Sequence, residues 1–223
     1  MAHHERLCFA EAAEVPLDAI DLHSMILGRP SISTLRSYDA IFFGGSGAYS
    51  VNDDVPWIRD SIEVLLEVAA LKVPAFASCF GFQGLAIALG GSVVNDESRV
   101  EMGSTLVELT EAGKADPLFG SLPPSIWVQE GHHDHVEILP EGVDLLVSGS
   151  VCHDQAFRVK GAPFWATQFH PELTLAKTIE RFHHYADFYL KPEEVEPRLK
   201  QLLGGKESPE VGNLLARIIR GDF

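Results

Sequence analysis

Val73-Pro-Ala-Phe-Ala-Ser78-Cys79-Phe80-Gly81-Phe82-Gln83-Gly-Leu-Ala-Ile-Ala-Leu89-Gly90-Gly91 carries the decisive pattern of this 223-residue chain. Val73–Ser78 is short and apolar, as a strand buried on both faces must be. Phe82–Leu89 follows at helical length and stops at a glycine pair. Cys79 therefore stands where a strand turns sharply into a helix. Ala77 and Gly81, two residues before and two after it, are small enough to let neighbouring backbone close in. That is the logic of a nucleophile elbow. A helix starting near Phe82 would aim its positive end at the sulfur and favour the thiolate. A purely structural cysteine is the competing reading, because free cysteines are often buried.

Working outward, Asp39–Gly44 reads as a second buried strand, and Pro56–Leu71 as a helix with proline in its first turn. The apolar stripe of that helix is Ile58, Ile62, Leu65, Leu66 and Ala69. Glu5–Glu14 has helical composition, and the alternation of Leu17–Leu22 suggests a half-buried strand. Beyond Ser92, short strands fit Ser104–Thr110, Ile126–Gln129, Leu145–Ser150, Ala156–Val159 and Phe164–Gln168. Helices fit Thr174–Leu190, Glu193–Leu203 and Pro209–Ile219. Strands alternating with helices in the first half predict an α/β fold, with a mostly parallel central sheet flanked by helices. Residues 1–190 are expected to form one domain, followed by a helical C-terminal extension over 191–223.

Composition narrows the function. Hydrophobic residues make up 46% of the chain, enough for a buried core rather than disorder. The formal net charge of −15 repels phosphate backbones and anionic lipid, so neither nucleic acid nor a membrane surface is expected as a partner. Three cysteines, Cys8, Cys79 and Cys152, show no CxxC spacing and no cluster with histidine along the sequence. This argues against a disulfide framework and a metal site, and fits a reducing cytoplasm. The opening Met1-Ala-His-His-Glu-Arg has no apolar signal region.

Gln168-Phe169-His170-Pro171-Glu172 supplies a candidate base. Proline holds His170 extended, and side chains two apart on an extended segment point the same way. The Glu172 carboxylate can then take the Nδ1 proton and leave Nε2 free to accept one from a thiol. A surface turn before a helix is the alternative. Gly44-Gly45-Ser46-Gly47 is a glycine-rich loop after a buried strand. It lacks the ending of a phosphate-binding P-loop, but could present a backbone N–H to an oxyanion.

Together these segments resemble the class I (triad-type) glutamine amidotransferases, and within them the GMP synthetase-like glutaminase domains. The resemblance spans roughly residues 38–190. It rests on Phe43-Gly-Gly-Ser-Gly47, Ser78-Cys-Phe-Gly-Phe-Gln83 with Leu89-Gly-Gly91, Gly131-His-His-Asp-His-Val136 and Gln168–Glu172. It implies a flavodoxin-like fold, no cofactor, and Cys79, His170 and Glu172 as the triad. It further implies Gly45 and Phe80 as backbone oxyanion donors, and Gln83, His132 and Asp134 beside the glutamine. The implied reaction is hydrolysis of the glutamine amide through a thioester, with ammonia passed to a separate synthetase subunit. A γ-glutamyl hydrolase or peptidase, and a non-catalytic regulator, are the alternatives. Cys8 and Cys152 match nothing catalytic, and Glu101 falls where the family often carries an acid. Family members begin with a central strand, whereas this chain opens in a helix. The first family strand is therefore expected to be missing, and upstream residues to add stability.

Overall fold

The computed structural model describes residues 2–189 and 191–223, the side chains of 185 and 187–189 apart. In chain order its helices and strands are α1 Ala2–Ala12, α2 Ile32–Leu35, β1 Ile41–Phe43, α3 Pro56–Leu71, β2 Ala75–Ser78, α4 Phe80–Ala88, β3 Ser92–Asn95, β4 Glu101–Leu109, α5 Glu111–Ala115, β5 Ser125–His132, β6 Asp134–Ile138, β7 Val143–Ser148, β8 Asp154–Val159, β9 Phe164–Thr167, α6 Leu175–Tyr189, α7 Pro192–Leu203 and α8 Asn213–Arg220. Leu190, the expected end of α6, lies outside the described residues.

Seven strands form one sheet in the order β1-β2-β9-β8-β7-β4-β5, and β3 pairs with β6 in a separate ribbon. The α/β class holds, but the sheet is mixed rather than mostly parallel. Parallel pairing is confined to β1 with β2 and β2 with β9. Pairings β8–β9, β7–β8, β4–β7 and β4–β5 are antiparallel. For β7–β8 and β8–β9 the reason is connection length. Parallel neighbours need a crossover of a dozen or more residues, whereas residues 149–153 and 160–163 only allow the chain to turn back.

β2 and β9 are buried at every position. Their alternate side chains enter different cores. Ala75, Ala77, Phe164 and Ala166 pack on one face with Val64, Leu65, Val68, Phe82 and Leu85 from α3 and α4. Phe76 and Trp165 pack on the other with Phe9 of α1 and Leu214, Leu215 and Ile218 of α8. Burial on both faces explains the unbroken apolar runs of these strands. Truncating Phe76 to alanine would cost on the order of 3–5 kcal/mol.

α3 matches its expected limits, but its buried face is rotated. Ile58, Ser61, Val64, Leu65 and Val68 face inward, while Leu66 is exposed. Apolar residues surround too much of this helix for periodicity alone to choose the face. Leu17–Leu22 is not a strand: Leu17–Ala19 is a 3-10 turn and the rest is irregular, with Leu22 exposed. The segment does not pair with the sheet, whose edge strand β1 is hydrogen-bonded only to β2 among the described strands. Among the described residues, no helix is long and apolar enough to cross a membrane.

Candidate active site

Cys79 occupies the turn between β2 and α4 with φ 52° and ψ −105°. A positive φ is uncommon for a residue with a side chain and costs on the order of 1–3 kcal/mol, so the surrounding structure must impose it. Its N–H donates to the Thr167 carbonyl of β9 at 2.8 Å, anchoring one side of the turn. Gly81 provides the space on the other. A Cβ there would lie 2.9 Å from Phe43 Cβ and 3.1 Å from Ala77 Cβ. The small residues flanking Cys79 are thus required by packing, as the sequence implies.

His170 follows β9, and its ring lies beside the Cys79 thiol. Its Nδ1 lies 2.6 Å from Glu172 Oε1, so the i, i+2 relation brings base and carboxylate together. Both side chains are buried. Burial alone would lower the His170 pKa, but the Glu172 charge and the contacts with Cys79 override it and raise the value to about 10. Glu172 moves the other way. Burial pushes its carboxyl up, yet the charge and hydrogen bond of His170 hold it below the usual range. Ser78 Oγ donates a further, long bond of 3.4 Å to Glu172 Oε1.

Gly45 abuts this pair. A Cβ on it would lie 3.0 Å from His170 Cε1 and 3.7 Å from Cys79 Cβ. Its N–H, however, donates to the Glu5 carboxylate of α1. Glu5 also covers Gly44, where an added Cβ would clash with Glu5 Oε1. Burial raises the Glu5 pKa, against the opposing charge of Arg181. Phe80 opens α4, at a position whose N–H has no acceptor within the helix.

The remaining expected residues gather at the β5–β6 turn. Gln83 Nε2 donates to the Asp134 carbonyl at 2.7 Å and to Gln168 Oε1 at 3.1 Å. His132 Nδ1 donates to the same Asp134 carbonyl at 2.8 Å. The Asp134 carboxylate accepts from Ser50 Oγ and, at 2.7 Å, from Asn95 Nδ2. Its location is fixed by the β3–β6 ribbon, where the sequence pattern alone shows neither strand.

Cys79, His170, Gly45, Phe80, Gln83, His132 and Asp134 all line one cavity of about 360 Å³. Glu172 stands behind His170, buried, and completes the row of three side chains. Glu5, Glu130 and Arg181 also line the cavity, and nothing in the sequence pattern points to them. They come from α1, β5 and α6, with no spacing that connects them to Cys79. Such an assembly has the parts for acyl transfer to sulfur: a nucleophile, a base in contact with it, and a carboxylate that orients the base.

Comparison with known proteins agrees with the geometry. Residues 14–189 match the family described as glutamine amidotransferase class-I. The chain is 32% identical over 156 residues to one subunit of the glutamine-hydrolysing GMP synthase of Sulfolobus acidocaldarius, covering 70% of this chain and 79% of that one. The corresponding subunit of Sulfurisphaera tokodaii is 30% identical over 164 residues, covering 73% and 83%. The GMP synthase of Thermosipho melanesiensis is 33% identical over 135 residues, 60% of this chain but only 24% of that longer protein. Among solved structures, a glutamine amidotransferase from Thermotoga maritima superposes with a TM-score of 0.63 at 25% identity, covering 86% of this chain and 81% of the other. One from Methylobacillus flagellatus shares the fold, with a TM-score of 0.71 at 20% identity, covering 96% and 88%. With its fold, its cysteine elbow and these relatives in agreement, the chain belongs to the class I glutamine amidotransferases.

Proposed function

We propose that this enzyme hydrolyses the side-chain amide of glutamine through a thioester on Cys79, and that the ammonia passes to a separate synthetase subunit. The observation that carries the reading is the strained Cys79 in contact with His170, whose far nitrogen is 2.6 Å from Glu172. Cys79 Sγ attacks the amide carbon, and its proton resides on His170. The carbonyl becomes an oxyanion facing the N–H groups of Gly45 and Phe80. His170 gives the proton to the departing nitrogen, the C–N bond breaks, and ammonia leaves a γ-glutamyl thioester. His170 then removes a proton from water, the hydroxide attacks the thioester, and glutamate is released as Cys79 recovers its proton. Glu172 orients His170 and balances its charge throughout. Gln83, His132 and Asp134 form the wall beside the substrate.

Transfer to a partner is supported by the two archaeal relatives, each of which is one subunit of a glutamine-hydrolysing synthase. The matching segment of the longer relative is about a quarter of its length. We place the reaction in the cytoplasm. The test is direct: purified enzyme with glutamine should release glutamate and ammonia in equal amounts, and Cys79→Ser should abolish both.

A γ-glutamyl conjugate is the second reading, favoured by one feature of the cavity. Met102, Leu173, Phe182, Ala186 and Leu202 give part of its wall an apolar lining, suited to a leaving group larger than ammonia. A panel of glutamine, γ-glutamyl peptides and glutathione conjugates separates the two readings by turnover.

A further inference from the structure

Beside the cavity, Glu101 at the start of β4 is the ladder partner of His132 at the end of β5. Glu130 precedes His132 by two residues, and Cys152 comes from the loop before β8. All four side chains are nearly or fully buried. The roles of the His132 nitrogens follow from chemistry. The Asp134 carbonyl can only accept, so Nδ1 carries the proton. In the neutral ring, Nε2 is then a bare lone pair. It points at Glu101 Oε2 and Glu130 Oε2, each 3.4 Å away. Three lone-pair donors converging in the dry interior repel one another unless positive charge lies between them, either a proton on Nε2 or a metal ion.

The spacing suits a metal ion. Four ligands at about 2.0–2.1 Å from a tetrahedral zinc are separated by roughly 3.3 Å. Donor atoms of Glu101, His132 and Cys152 all lie within 4.8 Å of one another, as the longer bonds to sulfur require. Glu101 Oε1 and both Glu130 oxygens have no hydrogen-bond partner. Gln155 Nε2 donates to Glu101 Oε2 at 2.7 Å, and the Asp134 carbonyl holds His132, the outer bonds that orient metal ligands.

We propose that Glu101, His132 and Cys152 form a structural site for a thiophilic divalent cation of the zinc class, with the Glu130 carboxylate beside it. The mixed nitrogen, oxygen and sulfur donors favour such an ion over calcium or magnesium. Bound there, it ties β4, β5 and the 149–153 loop together. It thereby fixes His132 and, through the shared Asp134 carbonyl, the position of Gln83. Nothing in this proposal depends on the identity of the substrate.

The test uses the full-length chain stripped of metal, with Cys8→Ser and Cys79→Ser removing the other thiols. Titration with Co²⁺ should give one ion per chain, with a near-ultraviolet sulfur-to-cobalt band and the visible bands of a tetrahedral ion. Zn²⁺ should displace it. Adding Cys152→Ser should remove the sulfur band, and Glu101→Gln should weaken binding at least tenfold. Should Cys152→Ser fail to fold, the unsubstituted chain gives the answer in mild denaturant. There Zn²⁺ should slow alkylation of Cys152 at least tenfold, as read by peptide mass spectrometry. No Co²⁺ uptake, a sulfur band that survives Cys152→Ser, or unchanged alkylation of Cys152 would overturn the site.

Discussion

His170 Nδ1 and Glu172 Oε1 lie 2.6 Å apart although only one residue, a proline, separates them in sequence. Pro171 holds the segment extended, and the extended chain puts both side chains on one side. The pairing is therefore local, whereas the contact of His170 with Cys79 depends on β2 and β9 being parallel neighbours. Glu172→Gln keeps the shape and an acceptor but removes the charge that balances the imidazolium. We expect kcat with glutamine to fall by about 10²–10⁴ with KM nearly unchanged. Steady-state kinetics of the variant check this, and a KM effect with unchanged kcat would contradict it.

The same pair sets a pH dependence of stability. The His170 pKa is raised from 6.5 to about 10 on folding. Its stabilisation is therefore complete below pH 6.5 and is lost as pH rises towards about 10. Denaturation curves should show wild-type stability falling across this window. In His170→Gln the fall should be shallower.

Two glycines separate function from folding. Gly45→Ala places a Cβ 3.0 Å from His170 Cε1. The ring must shift, so turnover should fall on the order of 10²-fold while melting temperature changes little. Gly81→Ala meets Phe43 and Ala77 at 2.9 and 3.1 Å within the core. That crowding should destabilise the fold by about 1–3 kcal/mol. Paired melting and activity measurements on the two variants should give opposite patterns.

Glu5 competes for the N–H that the proposed mechanism needs from Gly45. Removing its carboxylate in Glu5→Ala should raise kcat, up to the ~10²–10³ that a full oxyanion donor contributes. A lower kcat would show that Glu5 assists the reaction instead.

Much of this is legible in the chain because short-range rules act alone. Proline at position 56 and glycines after Leu89 bound two helices, and the small residues around Cys79 disclose the elbow. His170 and Glu172 need only the geometry of an extended dipeptide. What stays hidden depends on distant contacts. Leu17–Leu22 alternates as a strand does but pairs with no strand, and the β3–β6 ribbon unites segments about forty residues apart. Glu5 reaches Gly45 only because α1 packs against the sheet, and Glu101, His132 and Cys152 meet only once β4, β5 and the 149–153 loop are in place. Spacing along a sequence carries no record of such meetings.

Peptide mass spectrometry after exposure to a glutamine-mimicking electrophile tests the central claim most directly. Burial raises the Cys8 pKa to about 11, leaving that thiol protonated and slow at neutral pH, and the Cys152 side chain is buried away from the reagent. Labelling should be confined to Cys79 and should be lost in His170→Ala. Equal labelling of all three cysteines, or labelling of Cys79 undiminished without His170, would contradict a working pair.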